Sequence, residues 1–171
     1  MNNKRGQVWV ETIIYTLIAF VMISLVLFFA SPKIGELQDK TVIDQSVRVM
    51  DDIDTIISSI GVPGNKRLVE LEIDKGVLNI NGSHDNLIFK IDSRHMYSQP
   101  GKDITHGSVI VRTITQGEYN LVTLRINYAG AYNITYQGKD ELKTLGKSAT
   151  PYKLFISNKG GDVTNIDFDI S

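Results

Sequence analysis

Apolar residues follow three different rhythms along the chain. From Thr12 to Ala30, nineteen consecutive residues carry no formal charge and are mostly Ile, Leu, Val, Phe and Ala. Beyond Pro32 the rhythm changes: Val47, Met50, Ile53, Ile57 and Ile60 recur every three or four positions, which predicts one apolar stripe along a helix. Asp44, Arg48, Asp51, Asp52 and Asp54 fall mostly off that stripe. Pro32 is expected to kink this helix without ending it, because helical periodicity resumes at once. Gly61-Val62-Pro63-Gly64 is a stop signal. From Leu68 the pattern becomes that of strands. About eight are expected, at Leu68–Ile73, Val77–Ile80, Leu87–Ile91, Val109–Ile114, Tyr119–Tyr128, Tyr132–Tyr136, Tyr152–Ser157 and Val163–Ile170. Asp74-Lys75-Gly76 and Thr115-Gln116-Gly117-Glu118 read as hairpin turns, and Ser93 to Gly107 as the longest irregular loop.

The uncharged run is long enough for a membrane. A helix of nineteen residues extends roughly 29 Å, against a hydrocarbon thickness of about 30 Å. Lys4 and Arg5 precede it, whereas Lys33, Glu36, Asp39 and Lys40 beyond it cancel. The positive-inside rule then places the N-terminus in the cytoplasm and everything after Ser31 outside. Two other readings compete. A buried core helix is rarely so long and so apolar. A cleavable signal peptide would use Ala30-Ser31-Pro32, where the run is too long and Pro32 is badly placed.

Glu11 is the informative residue near the start of this run. A carboxylate close to the bilayer centre costs a few kcal/mol, and even near the edge it requires a reason. Cleavage after Gly6 would supply one, since Gln7 would then carry a free ammonium four residues before Glu11. Stacked subunits could neutralise both charges inside an apolar bundle. The bland alternative is a carboxylate that snorkels to the headgroups. Trp9 and Tyr15 read as aromatic anchors at the membrane interface.

In order, Lys4-Arg5-Gly6, Gln7, Glu11 and the apolar run resemble the N-terminus of the type IV pilin superfamily. The resemblance covers residues 4 to about 31. It implies a class III signal peptide whose basic leader residues are Lys4 and Arg5. A prepilin peptidase would cut between Gly6 and Gln7, leaving Glu11 as the fifth mature residue, where the family usually carries Glu. Gln7 as first mature residue looks like archaeal pilins. Trp9 departs from the Ser often found two residues after that Gln. Tyr152 to Gly161 is similar to closing hairpins of archaeal pilin domains.

The expected fold class is therefore α+β: a long N-terminal helix, membrane-spanning in its first half, followed by an antiparallel β-sandwich. The expected organisation is a leader at 1–6, a transmembrane and filament-core helix at 7–61, and an extracellular sandwich at 62–171. Some 53 residues from Val8 to Ile60 would form a rod of roughly 80 Å if fully helical. The absence of cysteine from the 171 residues excludes a disulfide framework and thiolate metal sites. A formal net charge of −1 gives no reason to expect nucleic acid as a partner. His84, His95 and His106 have no metal-site spacing and are expected on loops. Asp162, Asp167 and Asp169 fit a polar strand face as well as a calcium site. No nucleophile elbow, P-loop or dinucleotide fingerprint is present, so neither an enzyme nor a cofactor is expected. Asn81-Gly82-Ser83 and Asn133-Ile134-Thr135 match the N-glycosylation pattern, which places Asn81 and Asn133 as candidate glycan sites.

These features give the expectation of a pilin or minor pilin. Its partners would be membrane lipid before assembly, a prepilin peptidase, and copies of itself or other pilins through the N-terminal helix. The sandwich would serve adhesion. The alternative is a non-polymerising, membrane-anchored Ig-like binding protein accessory to an archaellum or cell envelope. Glu11 favours the polymer.

Overall fold

A computed structural model describes residues 4–171, with side chains described from Val8 onward. The chain forms one long N-terminal helix followed by antiparallel sheets, an α+β arrangement. Helix α1 spans Lys4–Ser59 and continues through Pro32. It ends where Gly61 adopts a positive φ of 74°, and the Asn65 carboxamide donates to the Ile60 carbonyl at 2.7 Å. An orphan carbonyl at the helix terminus is thereby satisfied.

By contacts the chain divides into two compact units, Met1–Gln38 and Asp39–Ser171. Within the first, Val8 to Phe29 is an unbroken succession of exposed residues. Lys33 pairs with Glu36 at 2.9 Å one turn further on. The helix is long and apolar enough to cross a membrane, and none of its most apolar stretch is buried.

The second unit contains ten strands in two sheets. They are β1 (Lys66–Leu71), β2 (Val77–Asn81), β3 (Asn86–Ser93), β4 (Asp103–His106), β5 (Val109–Gln116), β6 (Tyr119–Asn127), β7 (Asn133–Tyr136), β8 (Leu142–Leu145), β9 (Tyr152–Gly160) and β10 (Asn165–Ile170). One sheet has the order β1-β9-β10-β7 and the other β4-β5-β6-β3-β2-β8. All pairs are antiparallel except β7 with β10, which run parallel.

Strand alternation sets the core. Val122, Leu124 and Ile126 of β6 are buried, whereas Thr123 and Arg125 between them are not. Leu87, Phe89 and Ile91 of β3 lie opposite them in register and are buried too. Ile156, Ile166 and Phe168 join from the four-stranded sheet. Ile43, Met50, Ile53, Ile57 and Ile60 from α1 complete the same cluster. Four of these are the predicted stripe residues; Val47 is partly buried, and Ile43 extends the stripe one turn earlier. Residues 39–59 of the helix thus belong to the core of the β-rich unit.

Three expectations need correction. Asp74-Lys75-Gly76 does not close a hairpin, because β1 pairs with β9 while β2 pairs with β3 and β8. The segment crosses from one sheet to the other. Gly76 holds a φ of 92°, and a Cβ there would lie 2.5 Å from the Lys90 carbonyl, so only glycine fits the crossing. The segment from Ser93 to Gly107 is not wholly irregular, since β4 pairs with β5 inside it. Asp103 stands opposite Arg112 in that register, and Arg112 donates to it at 2.6 and 2.9 Å. Leu142–Leu145 forms β8 against β2, also unexpected.

Candidate functional site

The first candidate region is the start of α1. The side chains of Lys4, Arg5 and Gln7 lie outside the described residues, as do residues 1–3; Gly6 is part of the helix backbone. Glu11 is exposed on an otherwise apolar surface. Its Oε1 accepts a hydrogen bond from the Tyr15 hydroxyl at 3.2 Å, long for an O–H···O contact. A carboxylate can accept about four hydrogen bonds, so most of its capacity is unused among the described residues. The neighbouring hydroxyls are differently placed. Thr12 donates to Val8 O at 2.9 Å, Thr16 to Thr12 O at 2.8 Å and Ser24 to Phe20 O at 2.8 Å. Those three absorb their own polarity inside the helix, which is how a hydroxyl is tolerated in lipid. Glu11 does not. The role of Tyr15 as its partner was readable from their four-residue spacing, which puts both on one helix face.

The second region is where acidic residues of α1 receive the segment after β3. Asp39 is buried, accepts from the Arg94 backbone N–H at 2.7 Å and pairs with Lys75. Asp44 accepts from the Tyr97 hydroxyl at 2.9 Å. The Tyr97 ring lies beside both His95 and His106, at centroid distances of 6.4 and 6.0 Å. Further along, Tyr128 is buried with its hydroxyl against Asp54, in a contact short of full hydrogen-bond geometry. Burial, then Asp54, pushes that phenol up. Acidic residues off the apolar stripe therefore dock the β-rich unit onto its own helix. No signal in the sequence marks the partners of Asp39 and Asp44, which lie some 36 to 55 positions away.

This docking has a pH signature. Burial first, then the hydrogen bond and charge of Asp44, push the Tyr97 phenol up to about 12. The folded state consequently holds a proton that the unfolded chain loses near pH 10, an unperturbed tyrosine value of about 10 being usual. Stability is full below pH about 10 and declines as pH rises towards about 12. Denaturation midpoints measured across that window should fall less steeply for Tyr97→Phe than for the parent. Parallel slopes would show that this phenol is not coupled to folding.

The candidate glycan sites occupy unequal environments. Asn81 ends β2 and is followed by a short 3-10 turn at Gly82–His84. Its carboxamide lies 3.4 Å from the His84 ring, and Ser83 donates to the Asp140 carbonyl at 2.9 Å from an exposed position. Asn133 opens β7, but Thr135 is 2% exposed and donates to Asp167 at 2.8 Å, with the Asn165 carboxamide 2.9 Å from the same oxygen. The hydroxyl of that triplet is closed off once the four-stranded sheet forms.

The acidic C-terminal residues are separately committed. Asp167 is buried, accepts from Thr135 and the Gly138 N–H, and lies 3.7 Å from Lys159. Asp169 accepts from Gln137, which with its backbone bond holds its carboxyl below the usual range. His84 lies in the 3-10 turn and His106 in β4, so neither is in an open loop. Among the described residues no group of three or more histidine, aspartate and glutamate side chains is placed to hold a metal ion.

No protein-family model, no curated protein and no solved structure matches this chain.

Proposed function

We propose that this protein is a structural subunit, a pilin or minor pilin, of an archaeal type IV pilus-like surface filament. It assembles through α1 and displays the β-rich unit outside the cell for adhesion. The observation that carries this reading is Glu11: an exposed carboxylate with one long hydrogen bond, on a helix face whose other polar groups mostly satisfy themselves. A second subunit's Gln7 ammonium would complete its coordination. The partners are then a prepilin peptidase, membrane lipid before assembly, and other subunits. The Tyr15 bond favours the second reading, a tethered Ig-like monomer, because it gives Glu11 some partner within its own chain.

Processing tests the reading first. Native protein should begin at Gln7, and as a free amine, since cyclisation to pyroglutamate would remove the ammonium proposed for Glu11. Loss of Lys4 and Arg5 takes the formal net charge from −1 to −3. Intact-mass measurement decides this, and Gly6→Leu should leave the precursor whole. An N-terminus at Met1, or beyond Ala30, would remove the pilin reading. Filaments purified from cells and identified by subunit mass then separate polymer from monomer.

Surface display predicts glycans in a glycosylating host. Asn81 should be occupied more fully than Asn133, because insertion of β10 buries Thr135 and closes the second triplet, whereas Ser83 stays exposed. Site occupancy from glycopeptide masses measures the ratio. Higher occupancy at Asn133 would contradict the burial argument.

A further inference from the structure

A cleft of about 410 Å³ opens at one end of the β-rich unit, between the turn before β7 and the turn joining β9 to β10. Its size falls within the roughly 300–1,000 Å³ of small-ligand sites. Asp85, Tyr132, Asn133, Val163 and Asn165 line it. We infer that this cleft binds a neutral saccharide unit.

The polar groups here are fixed and only partly used. Asp85 Oδ1 accepts from the Ile134 N–H at 2.7 Å, and its carbonyl accepts from the Tyr128 N–H at 2.8 Å. One main-chain N–H thus fixes the carboxylate and another its backbone, while the second carboxylate oxygen makes no hydrogen bond among the described residues. The Asn165 carboxamide lies 2.9 Å from the Thr135 hydroxyl oxygen, which orients it and leaves its other end turned to the cleft. The Asn133 carboxamide makes no intrachain hydrogen bond among the described residues and adds a donor and an acceptor. Tyr132 is half-buried, with its ring packed edge-on against Tyr128 at 6.0 Å.

A fixed carboxylate acceptor, an oriented carboxamide and a free amide beside a packed aromatic ring suit one ligand chemistry. Adjacent sugar hydroxyls donate to a carboxylate and accept from an amide, while the C–H face of the ring lies on an aromatic side chain. Asp85 disfavours anions, and the density of polar groups disfavours an apolar ligand. The saccharide could be a free surface glycan or the first sugar attached to Asn133 itself. Neither source requires polymerisation, so this inference stands or falls separately from filament assembly.

Full-length chain from a host without N-glycosylation, in a detergent lacking a sugar headgroup and with ¹³C-labelled tyrosine, provides the readout. Glucose, galactose, mannose and N-acetylglucosamine are titrated at millimolar concentration. A saturable shift of the Tyr132 resonance, lost in Val163→Trp, is expected for a free sugar. Val163 is 53% exposed at the rim, so the bulky residue fills the cleft without entering the core. For the tethered source, native chain modified at Asn133 should show a Tyr132 shift that disappears on enzymatic release of the glycan. Absence of both shifts overturns the inference, as does a sugar-induced shift that survives in Val163→Trp.

Discussion

Cells whose subunit carries Glu11→Leu are expected to lose their filaments while keeping a processed, membrane-inserted subunit. In the proposed membrane setting the wild-type carboxylate is a liability whose one hydrogen bond among the described residues comes from Tyr15 at 3.2 Å. In a packed helical bundle it would meet the Gln7 ammonium of a neighbour. Removing one member of a buried charge pair leaves the other unpaired at a cost of about 3–5 kcal/mol. Every 1.4 kcal/mol is about tenfold, so incorporation should drop by more than a hundredfold. Leucine also makes the membrane segment more apolar, and the membrane pool should grow as filaments vanish. Thr12 is a poorer substitute partner, because its hydroxyl already donates to Val8 O. Tyr15→Phe is the informative companion: it removes the internal bond but keeps the carboxylate, and filaments should persist. Normal filament numbers with Glu11→Leu would falsify the mechanism and favour the tethered monomer.

The second large effect is expected at Ile53. It is fully buried in the cluster shared by α1 and both sheets. Ile53→Ala removes three carbons from a close-packed site and should destabilise the β-rich unit by about 2–5 kcal/mol. Domains of this size are stable by only about 5–15 kcal/mol, so a large fraction of the total is at stake. Asp52→Ala, one position away and exposed, should be nearly neutral. Chemical denaturation of the two variants under identical conditions gives the comparison. Equal midpoints would mean that the helix stripe does not contribute to the core.

The stripe itself was legible because helix burial is a local pattern. Met50, Ile53, Ile57 and Ile60 announce their common face through spacing alone, and the strands with apolar alternation, such as β6, do so too. What spacing cannot carry is partnership at a distance. Leu71 and Leu78 look like the two arms of a hairpin around Gly76, yet β1 finds its partner in β9, more than eighty residues later. Strands β4 and β8 have four residues each, with too few apolar positions to register as alternation. Arg112 on Asp103 helps to hold the first of them, a contact visible only once register is known. In the candidate site the same division holds. Glu11 stood out as a charge in an apolar run, and Tyr15 follows from helical spacing. Asp39 entered only as one of the flanking charges and Asp44 as a charge off the stripe, because their partners lie across the fold.

The position of β10 within its sheet bears on when this protein can acquire its shape. Residues 165–170 lie between β9 and β7, hydrogen-bonded on both sides, and Phe168 is fully buried. The four-stranded sheet is therefore incomplete until its last-synthesised strand is inserted into its interior. Long-range closure of this kind is slow, since distant segments must meet before any contact rewards them. This sheet cannot close before β10, which follows its other three strands in the chain, has emerged. If the β-rich unit crosses the membrane as proposed, that order keeps the four-stranded sheet open during passage, and a truncation before Asn165 should leave β7 and β9 without their shared partner and open to proteases.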